Sequence, residues 1–368
     1  MSGPAAGFGA ALDALPADLF DCVQVNLALL ADVRHGPGTH LRLGARLAFR
    51  PRLDDGWWTV EPVPADQVDH SAGLLGLAVA ERWDACPADR VPELIAGREP
   101  LYVVADAYHL PWLPYAGQEH MRHSFLVHSH DDGVRVWDAY RNDTRWGPAV
   151  PGHWDLNVKD LVTALGDTAD VISFGAAALP DPRPTVELDD PTEYLAAYAD
   201  APDPAAALAR LTLQTWLLAR SRLLHATSRG MELQEHLGAW QGLVQQTYVA
   251  WRMAQRGRPA SEAPLRRLGE LLHRDQALFA VPAAGGQQWR QHVAEAAASV
   301  LRLPVPVVLG GARFDTSPEY GSLRIVEIVE LVERVVGVEL SADDLVPENL
   351  QDLDGLCRIV ARAGTGAR

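Results

Sequence analysis

The chain has 368 residues and a formal net charge of -16, with 48 acidic residues against 32 basic ones. This balance argues against nucleic-acid binding as the main function, because that function needs a basic surface. The sequence has no apolar run of about eighteen residues, and its first residues lack the pattern of a signal peptide. We therefore expect a cytoplasmic protein without a membrane span. The three cysteines, Cys22, Cys86 and Cys357, are far apart, which argues against a disulfide framework and a cysteine-rich zinc site.

Two composition breaks predict three regions in an α+β protein. The first break, Leu179 to Thr185, holds three prolines, which do not fit a helix interior or a central strand. The second, Val281 to Gly286, holds a proline and two glycines. We therefore predict an α+β domain over residues 1–178, a helical subdomain over 185–282 and a helical bundle over 286–368.

The first long helix is predicted to begin at Asp21. Asp at the N-cap, with Gln24 three residues later, resembles a capping box. Cys22 would then lie in the first helical turn, where free amide N–H groups and the helix dipole favour a thiolate. The neighbouring Asp21 carboxylate has the opposite effect, and a free cysteine is also a common core residue, so this helix alone leaves both roles open.

A β-hairpin is predicted further along the chain, after a strand over Leu101–Asp106. One hairpin strand starts near His123, the turn is Asp131-Asp132-Gly133, and the next strand ends at Asp138. Both end residues belong to the open end of the hairpin. The sequence does not fix the register, and a slip of one residue would place His123 and Asp138 on opposite faces.

A histidine oriented by a carboxylate, together with a cysteine from far upstream, is what a Cys/His/Asp nucleophile needs. His109 and His120 are alternatives for the general base, and Asp138 could be an ordinary residue at a strand end. His128 and His130 alternate as strand residues do. We predict no metal site, because zinc needs three or four converging ligands.

These features together resemble the papain-like fold. The segment Asp106–Trp112, followed by His123 and Asp138, is similar to the butirosin-pathway acyltransferases, and the lincosamide and petrobactin-pathway condensing enzymes follow a similar logic. The resemblance covers roughly residues 18 to 160. It implies an enzyme that moves an acyl or aminoacyl group from a carrier-protein thioester to an amine. Cys22 would accept the acyl group, His123 would act as the base, and Asp138 would hold its tautomer.

One departure from this pattern concerns the oxyanion donors. Papain-type peptidases use a Gln shortly before the nucleophile, whereas Ala14–Phe20 contains none. This absence argues against peptidase activity. The backbone N–H of Cys22 and the side chains of Gln24 or Asn26 are the candidate donors.

The middle region has helical periodicity with several tryptophans, namely Trp216, Trp240 and Trp251. Apolar stripes of this kind usually form a core. The same tryptophans are also suited to shape an acceptor pocket, and nothing in the region identifies a substrate.

The last eighty residues show a regular helical pattern. The predicted elements are helices over Trp289–Leu303, Ser322–Glu333 and Asn349–Arg362, with a short turn over Ser341–Asp344. The apolar stripe of the middle helix would consist of Leu323, Val326, Ile328 or Val329, and Val332. Gly337 is predicted to close that helix.

This region resembles an acyl carrier protein, which implies that Ser322 bears a 4′-phosphopantetheine arm added by a phosphopantetheinyl transferase. Gly321 stands where the family usually has Asp, and Phe314 lies further from the serine than the usual Phe. Ser322 could instead be only an N-cap, which serine favours. The acidic residues that follow would form a docking face for basic partners or a solvated surface; they are Glu327, Glu330 and Glu333.

From the two resemblances we expect an amide-forming acyltransferase or condensing enzyme of a specialised biosynthetic pathway. Its donor would be a carrier protein, fused or separate, and its acceptor a small amine. Three alternatives remain: direct attack on the carrier thioester without acylation of Cys22, a cysteine hydrolase acting as thioesterase or peptidase, and a non-catalytic docking scaffold. The acyl group, the amine and the oligomeric state are not indicated by the sequence.

Overall fold

A computed structural model describes residues 4–130, 133–180, 184–279, 285–309, 313–317 and 319–365. The chain divides into two compact units, Met1–Gln276 and Ala277–Arg368. The first unit takes in the predicted region 1–178 and most of 185–282. Within the described residues, no helix is both long and apolar enough to cross a membrane.

The described chain mixes helices and strands, as the α+β prediction requires. The strands are β1 (Arg46–Phe49), β2 (Arg52–Asp54), β3 (Trp57–Thr59), β4 (Leu77–Pro87), β5 (Leu101–Asp106), β6 (Arg122–His130), β7 (Gly133–Asp138), β8 (Asn142–Thr144), β9 (Gly147–Ala149), β10 (Gly152–Leu156), β11 (Thr168–Ala176) and β12 (Thr185–Leu188).

The helices of the first unit surround these strands. They are α1 (Pro4–Ala14), α2 (Gln24–His35), α3 (Pro64–Leu74), α4 (Val91–Ile95), α5 (Val158–Leu165), α6 (Thr192–Ala199), α7 (Pro204–Arg229), α8 (Gln234–Ala254) and α9 (Ala263–Leu278). Short 3-10 helices span Ala17–Leu19, Thr39–Ala45, Ala88–Arg90 and Ala107–His109.

The centre of the first unit is a six-stranded sheet with the order β10-β7-β6-β5-β11-β4, in which neighbouring strands run antiparallel. Strand β5 has the predicted bounds, and its apolar residues are buried along almost its whole length. Such a continuous apolar run is expected for a strand covered on both faces. Helix α2 contacts β6, and this contact brings the segment that carries Cys22 to the sheet.

The predicted β6–β7 hairpin is confirmed. Leu126 pairs with Trp137 and Val127 with Val136, while the turn residues Asp131 and Asp132 lie outside the described residues. This register places positions 123 and 138 on the same face of the two strands, which the sequence could not decide.

The Pro-rich segment does not separate two compact units. After it, β12 returns to pair in parallel with β1, and helix α7 packs against the 3-10 helix Thr39–Ala45. Gly44 permits this close approach, because a Cβ there would lie 2.7 Å from the carbonyl oxygen of Leu224. The helical region is therefore built into the same unit as the sheet.

The second unit is helical. Its elements are α10 (Gly285–Leu301), α11 (Val305–Leu309), α12 (Ser322–Val336), α13 (Pro347–Leu350) and α14 (Leu353–Thr365), with 3-10 helices at Phe314–Thr316 and Ala342–Asp344. Helix α12 begins at Ser322 and is closed by Gly337 at φ +77°, as predicted. The predicted last helix is two helices, because α13 ends at Leu350 and Asp352 caps the start of α14 by accepting a hydrogen bond from Gly355 N–H.

The apolar stripe predicted for α12 is partly wrong. Leu323 and Val326 are 87% and 53% exposed, whereas the buried residues of this helix are Ile328, Val329, Val332 and Val336. The periodicity identified an apolar helix but placed the buried face about one turn too close to its start.

Candidate active site

Cys22 lies in the turn that leads into α2, two residues before the helix begins, and not in its first turn as predicted. The Asp21 carboxylate accepts hydrogen bonds from the N–H groups of Val23 and Gln24, both at 2.9 Å, so Asp21 does cap the free amides there. The Gln24 side chain makes no described hydrogen bond back to Asp21, so the predicted capping box is incomplete. Gln67, on α3, donates its side-chain amide to the second Asp21 oxygen at 2.6 Å.

The Cys22 side chain is half-buried and fixed against strand β6. Its Sγ donates a weak hydrogen bond to the carbonyl oxygen of Arg122 at 3.8 Å, and its own carbonyl accepts a hydrogen bond from the Ser124 hydroxyl. Burial raises the pKa of the Cys22 thiol, and the charges of Asp21 and Asp138 raise it further. The resting side chain is therefore a neutral thiol that needs a base to become a nucleophile.

His123 and Asp138 form a buried pair, with His123 Nε2 2.7 Å from Asp138 Oδ2 and side-chain exposures of 0% and 2%. A carboxylate at this distance holds the imidazole proton on Nε2, which leaves Nδ1 as an acceptor. Nδ1 is buried and has no hydrogen-bond partner in the described part of the chain. The arrangement thus presents an imidazole base whose tautomer is fixed.

The Asp138 carboxylate is surrounded by donors. Besides His123, it accepts hydrogen bonds from the Tyr140 N–H at 3.0 Å, the Trp112 indole N–H at 3.1 Å and the Asn26 side-chain amide at 3.3 Å. Burial alone would raise the pKa of Asp138, but the interaction with His123 and the hydrogen bonds from Tyr140 and Asn26 outweigh it and hold the pKa below its usual value. The carboxylate is therefore ionised at neutral pH.

Asn26 is a hydrogen-bond partner of Asp138, and its side chain does not line the cavity beside Cys22. Its side chain is fully buried, with the amide nitrogen 2.8 Å from the Ser124 carbonyl and the amide oxygen accepting from Ala139 N–H at 2.9 Å. These bonds remove Asn26 from the candidate oxyanion donors. Gln24 is not among the residues that line the cavity beside Cys22, so the Cys22 backbone N–H is the predicted donor that remains.

Cys22 lines a cavity of about 1280 Å³ in the first unit. Its aromatic wall comes from the β8–β9 turn and from helices α7 and α8, through Trp146, Trp216, Tyr248 and Trp251. Trp240, by contrast, is fully buried in the helical core. The helical region therefore uses its tryptophans both for packing and for the cavity wall.

Gln67 and Arg220 also line this cavity, and the sequence analysis did not single them out. Neither belongs to a local motif, because each reaches the Cys22 segment from a distant helix. For Arg220 the sequence signal was a polar residue within the predicted helical region, whereas the helix that holds Gln67 was not predicted.

The rival histidine His120 has a carboxylate partner of its own. Its Nδ1 lies 2.6 Å from Asp106 Oδ2, and its ring stacks on Tyr108 with ring centroids 4.2 Å apart. This pair lies at a second cavity of about 490 Å³, which Cys22 does not line. No group of three or more His, Cys, Asp or Glu residues suited to a metal ion occurs among the described residues.

In the second unit, Ser322 is exposed and is the first residue of α12, with Gly321 in the N-cap position. The serine hydroxyl caps no backbone amide and bonds to no other residue that the structure describes, which disfavours a purely capping role. Of the acidic residues that follow, Glu327 pairs with Arg324 at 2.7 Å and Glu333 accepts from Leu340 N–H at 2.8 Å.

Comparison of the chain with protein-family models gives no match, and comparison with curated proteins gives none either.

Proposed function

We propose that this chain is an acyltransferase that moves an acyl or aminoacyl group from a carrier-protein thioester to an amine. One observation carries the proposal. A buried His123–Asp138 pair with an unpartnered Nδ1 adjoins the segment that holds Cys22, because the Cys22 thiol contacts the carbonyl of the residue just before His123.

In the first half-reaction, His123 Nδ1 removes the proton from Cys22 Sγ as the sulfur attacks the thioester carbonyl. A C–S bond to Cys22 forms, the bond to the carrier sulfur breaks, and His123 returns the proton to the departing thiol. Asp138 stabilises the imidazolium that exists between these two transfers.

In the second half-reaction, the amine attacks the acyl group on Cys22 and gives a proton to His123. The amide bond forms as the C–S bond breaks, and Cys22 recovers its proton. The raised pKa of Cys22 fits this sequence, since the thiol is neutral at rest and is activated only when the base is engaged.

Exchange between two thioesters is nearly thermoneutral, so the main task of the site is to admit an amine and exclude water. The aromatic wall formed by Trp216, Tyr248 and Trp251 supports this role, because apolar surface lowers the water content beside it, while charged residues line other parts of the same cavity.

The second unit is proposed to be a carrier domain whose phosphopantetheine arm, when attached at Ser322, supplies the thioester. An exposed hydroxyl at the start of a helix suits this modification, because the helix dipole favours the negative phosphodiester. A separate carrier protein would supply the same chemistry.

Product partition tests the proposed function. The chain is incubated with acyl-pantetheine thioesters and a panel of small amines, and amide and free acid are measured by mass spectrometry. We expect amide in excess over acid for at least one amine, and loss of amide in Cys22→Ala.

Free acid alone, unaffected by any amine, would identify a hydrolase. Amide formation that persists in Cys22→Ala would instead show direct attack on the carrier thioester, with His123 as the base.

A further inference from the structure

Arg220, on helix α7, binds main-chain carbonyls on both sides of the candidate site. One guanidinium nitrogen donates to the carbonyl of Ala17 at 3.0 Å and to that of Phe20, and the other donates to the carbonyl of Arg141 at 2.8 Å. The guanidinium also stacks on Trp216, 4.3 Å from the ring centroid. Arg220 forms no ion pair with a described acidic residue.

The three carbonyls belong to two different parts of the site. Ala17 and Phe20 precede Cys22 by a few residues, and Arg141 follows Asp138 by three. A single side chain thus connects the segment of the nucleophile to the segment that follows the acid. The planar fork of a guanidinium can hold several acceptors at fixed angles, which the single ammonium of a lysine cannot.

The positive charge of Arg220 is not neutralised by these contacts, because carbonyl oxygens carry only partial charge. Arg220 lines the same cavity as Cys22. Its charge opposes the effects of burial, Asp21 and Asp138, all of which raise the pKa of the Cys22 thiol. The carboxylates of Asp18 and Asp21 interact electrostatically with Arg220 but form no ion pair with it, so part of its charge remains available to the thiol.

We propose that Arg220 is a positioning residue for the acyl transfer. It holds the Cys22 segment against the end of β7, where Asp138 fixes His123, and it keeps a positive charge beside the sulfur while the thiolate forms. The catalytic role in this inference rests on the proposed function. The effect of Arg220 on the reactivity of Cys22 can be measured without any acyl donor.

The test measures the rate at which iodoacetamide alkylates Cys22 at one fixed, mildly alkaline pH, with peptide mass mapping to separate Cys22 from the buried Cys86 and Cys357. The variants are Arg220→Gln, which removes the charge, and Arg220→Lys, which keeps the charge but loses the fork. The matched control is Arg210→Gln, since Arg210 lies on the same helix and stacks on Trp57 at 4.8 Å, and its own side chain does not line the cavity.

In R220Q we expect the alkylation rate at this pH to fall about tenfold, because loss of the positive charge raises the pKa of the Cys22 thiol further and lowers the thiolate fraction. In R220K the alkylation rate should fall less, while kcat for acyl transfer falls with little change in KM, since the segment is less well held. R210Q should behave as the wild type in both assays.

Wild-type alkylation rates in both R220Q and R220K would overturn the proposal, as would an equal fall in R210Q. If urea unfolding shows that R220Q is unfolded, the test uses R220K, and an unchanged kcat in R220K would then overturn the proposal. Slower alkylation of Cys22 in a chain that forms no amide would retain the role of Arg220 at the thiol and reject the proposed function.

Discussion

Replacing Asp138 by Asn keeps the size of the side chain and removes one acceptor oxygen from a site where four donors converge. On the Oδ1 side are the N–H groups of Asn26 and Tyr140, and on the Oδ2 side are those of His123 and Trp112. An asparagine can satisfy only one side. If its amide nitrogen takes the Oδ2 side, His123 can still pair with it by moving its proton from Nε2 to Nδ1.

That orientation leaves a single buried donor, the Trp112 indole N–H, without an acceptor, which costs about 1–3 kcal/mol of stability. The opposite orientation leaves the N–H groups of Asn26 and Tyr140 unpaired and costs about twice as much. D138N should therefore fold with a moderate loss of stability. The tautomer of His123 in that fold carries its proton on Nδ1, so the base is absent. A triad forced into the wrong tautomer loses about 10⁴-fold in kcat, or about 5 kcal/mol.

The assay compares acyl-transfer rates with urea unfolding for D138N and for a matched control, Asp32→Asn. Asp32 also accepts from a buried histidine, His40, at 2.6 Å, but it does not line the cavity. We expect D32N to lose stability and keep the transfer rate, while D138N loses the rate. A folded D138N with the wild-type rate and pH profile would refute the assignment of His123 as the base.

The other predictions concern the buried ion pair, acid stability and the carrier unit. Asp275→Ala should lower the free energy of unfolding in urea by about 3–5 kcal/mol, because it removes the carboxylate that pairs with the fully buried Arg222 at 2.8 Å. A change within about 0.5 kcal/mol would contradict this prediction. Since the folded pKa of Asp138 is depressed, its contribution to stability is present above about pH 4 and is lost as the pH falls through the folded pKa. The unfolding free energy of D138N should therefore depend less on pH below about 4 than that of the wild type. An equal slope of unfolding free energy against pH would be inconsistent with the depressed pKa. Incubation with a phosphopantetheinyl transferase and coenzyme A should add one phosphopantetheinyl group to the intact mass, and Ser322→Ala should abolish it; no mass gain would favour a docking role.

Local patterns were sufficient for the central strand and for both ends of α12, but they placed Cys22 inside a helix that begins two residues later. The bounds of Leu101–Asp106, the start of a helix at Ser322 and its end at Gly337 all follow from side-chain periodicity and capping. These features depend on a few neighbouring residues, and the sequence contains all of them.

The supporting groups of the site depend on tertiary structure and were not predictable in the same way. Trp112 and Arg220 reach the Asp138 end of the hairpin from elsewhere, so no local spacing reveals them. Asn26 did give a signal, because a polar residue inside the buried apolar run of α2 must find hydrogen-bond partners. The sequence could show that Asn26 has a role, but only the strand register showed that its partners are Asp138 and Ser124.

The central claim is that Cys22 becomes acylated during transfer. The most direct measurement is rapid quenching of the chain with an acyl-pantetheine thioester and no amine, followed by intact mass and peptide mapping. We expect one acyl group on Cys22, which disappears when amine is added and does not form in Asp138→Asn. An acyl group found only on other residues, or none at all while amide is produced at the full rate, would contradict it.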